Sequence, residues 1–297
     1  MTKWPRSKRR RRTCPQATLV PNCSQIDVIE PRDTNMTQIQ GGYLRSETAG
    51  TGPVVLFVHG NFADARMWDP QFDTFAKRFT AVRYDVRGFG ASPRAAGPYS
   101  HRGDLRALLA RLGHDRAHLV GLSMGGEIAL ETAVEFPDLA ASLVVVPGWS
   151  LESLQWADEG WEAIGAAVRD HDHLRAREIV MDFPPMRSLV ARPDLRESVA
   201  RIMDAYPWQH FEAEEEYVSM DPPAMERLAE IACPTLVISG ALDDPAFLDT
   251  GAFIAREVSG ARRLVIPGAG HMVNMEQPVA FNRAVHSFVT EAEAHPR

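Results

Sequence analysis

Ser123 stands in the stretch HLVGLSMGGEIAL (residues 118–130), where an apolar run stops and a helical pattern begins. A serine hydroxyl is a weak nucleophile; it needs a base, exposure, and donors for the oxyanion that develops on attack. A sharp strand-to-helix turn supplies exposure at the cost of strained backbone angles, and only small neighbours fit around it. Gly121 and Gly125, two residues before and two after Ser123, are such neighbours. A glycine-flanked helix start with serine as N-cap has the same letters. The position directly after a buried strand favours the nucleophile.

The matching base is expected beyond the last strand. RLVIPGAGHMVNMEQP places His271 on a glycine-rich loop after RRLVIP, and LVISGALDDP places Asp243 and Asp244 after the strand before it. Asp243 is the chosen orienting acid, because a carboxylate there would hold the tautomer of His271 and stabilise its imidazolium; Asp244 suits the cap of the next helix. The backbone N–H of Met124 is one expected oxyanion donor. The second falls on VHGNF, with Asn61 first and Phe62 otherwise. His59 reads as structural. His171 and His173, in RDHDHLR, read as a solvated helix rather than metal ligands, since no third ligand is evident. No metal or organic cofactor is called for.

The elements that must position these groups follow a simple rhythm. TQIQGGYLRSET reads as two strands about a Gly-Gly turn, and PVVLFVHG as a strand buried on both faces. Helical and strand patterns then alternate through SLVVVPG, which implies an α/β fold with a mostly parallel central sheet flanked by helices. HRGDLRALLARLG is an amphipathic helix with Leu105, Leu108, Leu109 and Leu112 on one face. After Gly148 the rhythm breaks. Residues 150–230 are mostly helical, then strand and helix alternate again from CPTLVISG. The expected organisation is a core of residues 36–149 and 231–297, with a helical cap, 150–230, inserted after the sixth strand. Its Trp, Met and Phe content implies an apolar pocket, with Phe62, Trp149, Trp156 and Met272 as expected lining.

Charge is unevenly placed. Residues 1–35 hold eight Lys/Arg and three Asp/Glu, so a chain of net charge −7 has a body of −12. An acidic body argues against nucleic acid as the main partner. The basic stretch reads as a disordered extension, with folded sequence expected from Met36. Three cysteines (Cys14, Cys23, Cys233) without metal-ligand spacing suit a reduced, cytoplasmic compartment. No apolar run approaches a membrane span. A monomer or homodimer acting on a small molecule is expected.

Taken together, the ordered set HGNF, YDVRGFGAS, GLSMGG, GALDDP and GAGHMVNMEQP resembles the α/β-hydrolase fold enzymes over about residues 37–293. The stretch RMWDPQFDTFAKRFTAVRYDVRGFGAS further resembles 3-oxoadipate enol-lactonases and bacterial carboxylesterases. That resemblance implies a Ser-His-Asp hydrolase cleaving a carboxylic ester or lactone through an acyl-enzyme, with a lid after the sixth strand. Haloalkane dehalogenases and epoxide hydrolases carry aspartate at the elbow, where this chain has Ser123. Enol-lactonases bind an anionic lactone, and Arg175, Arg177 and Arg187 of the lid equally fit a solvated surface. The same triad also serves C–C bond hydrolysis and cofactor-free perhydrolysis, and the fold also serves ligand receptors with vestigial hydrolysis.

Overall fold

The computed structural model describes residues 32–148, 154–211 and 216–295; of Gln155 and Trp156 it describes the backbone alone. Trp149 therefore lies outside the described residues, as does the side chain of Trp156. Eight strands form one sheet: β1 (Asp33–Ile39), β2 (Gly42–Ala49), β3 (Val54–Val58), β4 (Thr80–Tyr84), β5 (Ala117–Leu122), β6 (Ala140–Val146), β7 (Thr235–Gly240) and β8 (Arg262–Ile266). Their spatial order is β1-β2-β4-β3-β5-β6-β7-β8. β2 runs antiparallel to both of its neighbours, and all pairs from β4 to β8 are parallel. β1 opens at Asp33, ahead of Met36, because the hairpin register continues to the Asp33–Thr48 pair.

Every residue of β3, β5 and β6 is buried, which is why their sequences are apolar runs rather than alternations. The fully buried Val, Leu and Phe side chains there contribute roughly 1.5–3 kcal/mol each. Helices α1 (Asp69–Phe75), α2 (His101–Arg111) and α3 (Met124–Glu135) connect the strands up to β6. In α2, Leu105, Leu108 and Leu109 are buried, and the Ser100 hydroxyl caps its start by accepting from Gly103 N. After β3 the chain adds β4 on one side, then returns to add β5 on the other. That reversal opens a crevice beyond the carboxyl ends of β3 and β5, the place where open α/β sheets bind ligands.

Between β6 and β7 the chain leaves the sheet for α4 (Gln155–Arg169), α5 (His173–Met181), α6 (Arg187–Val190) and α7 (Pro193–Met203). Trp161, Ile164 and Val168 recur at helical spacing on α4, as Leu195, Val199 and Ile202 do on α7, so each helix presents one apolar face. The sheet then resumes, with α8 (Pro245–Glu257) before β8, and α9 (Val273–Glu276) and α10 (Pro278–Ala294) after it. Among the described residues no helix is long and apolar enough to cross a membrane.

Candidate active site

The turn at Ser123 is built by backbone contacts. β5 ends at Leu122, α3 begins at Met124, and Ser123 between them holds φ 58° and ψ −123°, a conformation L-residues rarely adopt. Its N–H donates to Val146 O at 2.8 Å, while its carbonyl accepts from Gly126 N (2.8 Å) and Glu127 N (3.1 Å). The carbonyl thus starts the helix, and the hydroxyl makes no capping hydrogen bond. A Cβ on Gly121 would fall 2.0 Å from the Gly125 carbonyl oxygen, so strand and helix approach too closely for any side chain. Met124, as the first helical residue, has no carbonyl within the helix to receive its N–H.

The loop after β3 faces this turn. His59 is buried, accepts from Val86 N through Nε2 (2.9 Å) and lies 2.9 Å from Gly60 O through Nδ1, which fixes a neutral tautomer with Nδ1 as donor. Burial holds its pKa below the ordinary histidine value, against the field of Asp85. Asp85 accepts from Ala65 N and Ala91 N at 2.9 Å each, tying the loop after β3 to the turn after β4. The acid of YDVRGFGAS thus has a structural part to play, holding two loops together beside the nucleophile turn. Beyond Gly60, Asn61 is exposed and Phe62 takes φ 56°. Both line the same cavity as Ser123 and Met124.

His271 and Asp243 meet beyond the ends of β7 and β8. The imidazole Nδ1 donates to Asp243 Oδ2 at 3.1 Å, with both side chains buried. Burial pulls the imidazole pKa down, yet the Asp243 charge and hydrogen bond outweigh it, so the value stands above the ordinary 6.5. Asp244 turns the other way, where its side chain accepts from Ala246 N at 2.9 Å and caps α8. The histidine loop is stitched down by side chains. Glu276 accepts from Gly270 N at 3.0 Å, and Asn274 Nδ2 donates to Met67 O at 2.9 Å.

Ser123 and His271 open onto one cavity of about 410 Å³, roofed by the helical segment through Trp161, Phe183 and Met186. Met272 lines it as well. A strained hydroxyl and a carboxylate-paired imidazole facing one cavity make an arrangement able to attack a carbonyl.

A model of the alpha/beta hydrolase family matches residues 55–284. The chain belongs to that family. It is similar to the candidate carbamate hydrolase RutD of Azorhizobium caulinodans, with 29% identity over 257 residues, covering 83% of this chain and 95% of that one. It is also similar to 3-oxoadipate enol-lactonase 2 of Acinetobacter baylyi, at 27% identity over 79% of this chain and 88% of the relative. Among solved structures, a thermophilic esterase from Thermogutta terrifontis superposes with a TM-score of 0.74 at 26% identity, covering 88% of this chain and 99% of that one. The protein is a hydrolase of this superfamily.

Two features of this hydrolase escape sequence reasoning. Gly148, just after β6, leaves the space beside the hydroxyl open: a Cβ there would fall 2.1 Å from Ser123 Oγ. A strand-end glycine in VVVPG was its only signal. Trp161 is the second, with its ring stacked on Phe62 at 5.0 Å. Its helical spacing placed it on an apolar face, but nothing local said which face would meet Phe62. His171 and His173 are exposed.

Proposed function

We propose that Ser123 is the nucleophile of a serine hydrolase acting on a carboxylic ester or lactone, with His271 as general base and Asp243 as its orienting acid. The observation that carries this reading is the Ser123 hydroxyl, left uncapped in a strained turn and opening onto the cavity that also takes His271. His271 removes the hydroxyl proton through the ring nitrogen opposite its bond to Asp243. The Met124 amide and the Asn61 amide receive the oxyanion, with Phe62 the alternative to Asn61. His271 then protonates the leaving alcohol, and water repeats the sequence on the acyl-enzyme. The segment α4–α7 acts as a cap, with Trp161 stacked on Phe62 of the loop after β3 in the lining of the pocket.

The chain's own residues carry this reading, and esterase and enol-lactonase relatives agree with its class. The test is hydrolysis of p-nitrophenyl esters from acetate to long acyl chains by the wild type and Ser123→Ala. Sustained turnover by the wild type and a loss of about 10⁴-fold or more in the variant, with an unchanged melting temperature, supports the assignment. Turnover retained in Ser123→Ala overturns it.

A further inference from the structure

The cavity beside Ser123 is acidic where a lactonase for an anionic substrate needs a cation. Glu127, one helical turn beyond Ser123, lines this cavity, as does Asp158 of α4, and no Lys or Arg is among the described lining residues. Arg175 and Arg177 are spent on the outside, in ion pairs with Glu178 and Asp204. The stretches 149–153 and 212–215 contain no Lys or Arg in their sequence either.

Glu127 also lines a second cavity of about 220 Å³, with Tyr99, His101 and Tyr217. It therefore stands at the junction of the two spaces. Among the described residues no hydrogen bond or ion pair engages its carboxyl. Arg102 of α2 is already occupied: it bonds Glu135, Glu131 (3.5 Å) and Val218 O (2.9 Å). The three rings of the second cavity pack on one another with centroids 5.1–5.6 Å apart. Aromatic faces beside a carboxylate attract an organic cation, and the carboxylate repels an anion.

We propose that Glu127 is a specificity-determining residue, and that the substrate carries a cationic nitrogen seated at the junction of the two cavities while its carbonyl lies at Ser123. The second half of this rests on the serine-hydrolase reading above. Glu127 is solvent-exposed as a residue, yet partial desolvation of its carboxyl against the cavity wall and the charge of Glu131 push it up to about 7. The carboxyl by itself therefore gains its full negative charge only above neutrality, and a bound cation favours that charged form. The groups around it are Glu131 on its own helix, His101 from α2, Tyr217 and Tyr99, with Asp158 and His271 also lining the cavity of Ser123.

The experiment compares choline butyrate with 3,3-dimethylbutyl butyrate, its uncharged isostere, in the wild type and Glu127→Gln. The ratio of their kcat/KM values cancels the shared titration of His271, the charge of choline is permanent, and Glu127→Gln separates the titration of Glu127 from that of neighbouring groups such as Glu131. The wild type should prefer the cation by about tenfold or more at pH 8, with the preference falling as pH drops through about 7. In Glu127→Gln the ratio should drop about tenfold and lose its pH dependence. A wild-type preference for the neutral ester, or an equal ratio in the variant, overturns the proposal. Calorimetric titration with phenyltrimethylammonium reads the site without turnover: a Kd about tenfold weaker in Glu127→Gln supports it, and equal affinity overturns it. Glu127-dependent cation binding with no ester turnover at all would instead sink the hydrolase reading and leave this site standing.

Discussion

Around Ser123 the chain is held by its backbone. The serine amide bonds to Val146 O of β6, its carbonyl starts α3, and Gly121 and Gly125 touch where no side chain fits. Around Trp161, on the opposite wall of the same cavity, the chain is held by rings. Trp161 stacks on Phe62 (5.0 Å) and Phe211 (5.5 Å), and Phe62 lies within 6.5 Å of Tyr206, Trp208 and Phe183 as well. The first wall has one solution, since moving the turn breaks strand-end hydrogen bonds that a buried backbone cannot replace. The second has many, since aromatic pairs of about 0.5–1.5 kcal/mol each can be repacked. In the proposed reading, reaction chemistry belongs to the rigid wall and the choice of acyl chain to the adaptable one.

The largest expected effect falls on the rigid wall. Asp243→Asn should lower kcat on p-nitrophenyl butyrate by about 10⁴-fold with the fold retained, because the amide presents the wrong partner to His271 Nδ1. A loss under tenfold would erase the distinction between the walls. On the adaptable wall, Trp161→Ala should move the preferred acyl length toward longer chains, with kcat/KM on any one ester changed by about 10- to 100-fold. A loss as deep as that of Asp243→Asn, across all chain lengths, would make Trp161 part of the chemistry.

The smallest effect is a pH midpoint, and it separates the walls most cleanly. Catalysis in the proposed reading needs neutral His271, whose pKa stands above 6.5 because Asp243 outweighs burial. Activity should therefore rise with pH through a midpoint above 6.5. The acids that act on His271 are Asp243 and Asp244 after β7 and Glu276 of α9, none of them from the cap. Trp161→Ala should accordingly leave the midpoint in place; a shift in that variant would mean the cap also tunes the base.

Much of this was open to reading along the chain. The apolar runs VVLFV and SLVVV mark buried strands because a parallel sheet covered on both faces leaves no solvent side to alternate toward. Ser123 between its glycines, and the loops bearing Asp243 and His271, stand out as candidates because open α/β sheets bind ligands at the strands' carboxyl ends. The apolar lining was harder. Phe62 and Met272 do line the cavity, yet they are joined there by Trp161, Phe183 and Met186. A tryptophan on an amphipathic helix is equally suited to core or pocket until the helix is docked.

What the sequence determined by itself was local: which residues form buried strands, where a tight turn must carry glycine, and the order in which hydroxyl, acid and imidazole follow the strands. Those are short-range matters of burial, backbone sterics and spacing. Only the tertiary structure decided that Gly148 clears the space beside Ser123 and that Asn274 anchors the histidine loop to Met67, 207 residues away. It alone brought Glu127 to the lining of two cavities that have no Lys or Arg among their described residues. The reason is physical: these relations depend on how helices and loops pack across the sheet, through contacts between residues far apart in the chain, and no spacing rule reaches that far.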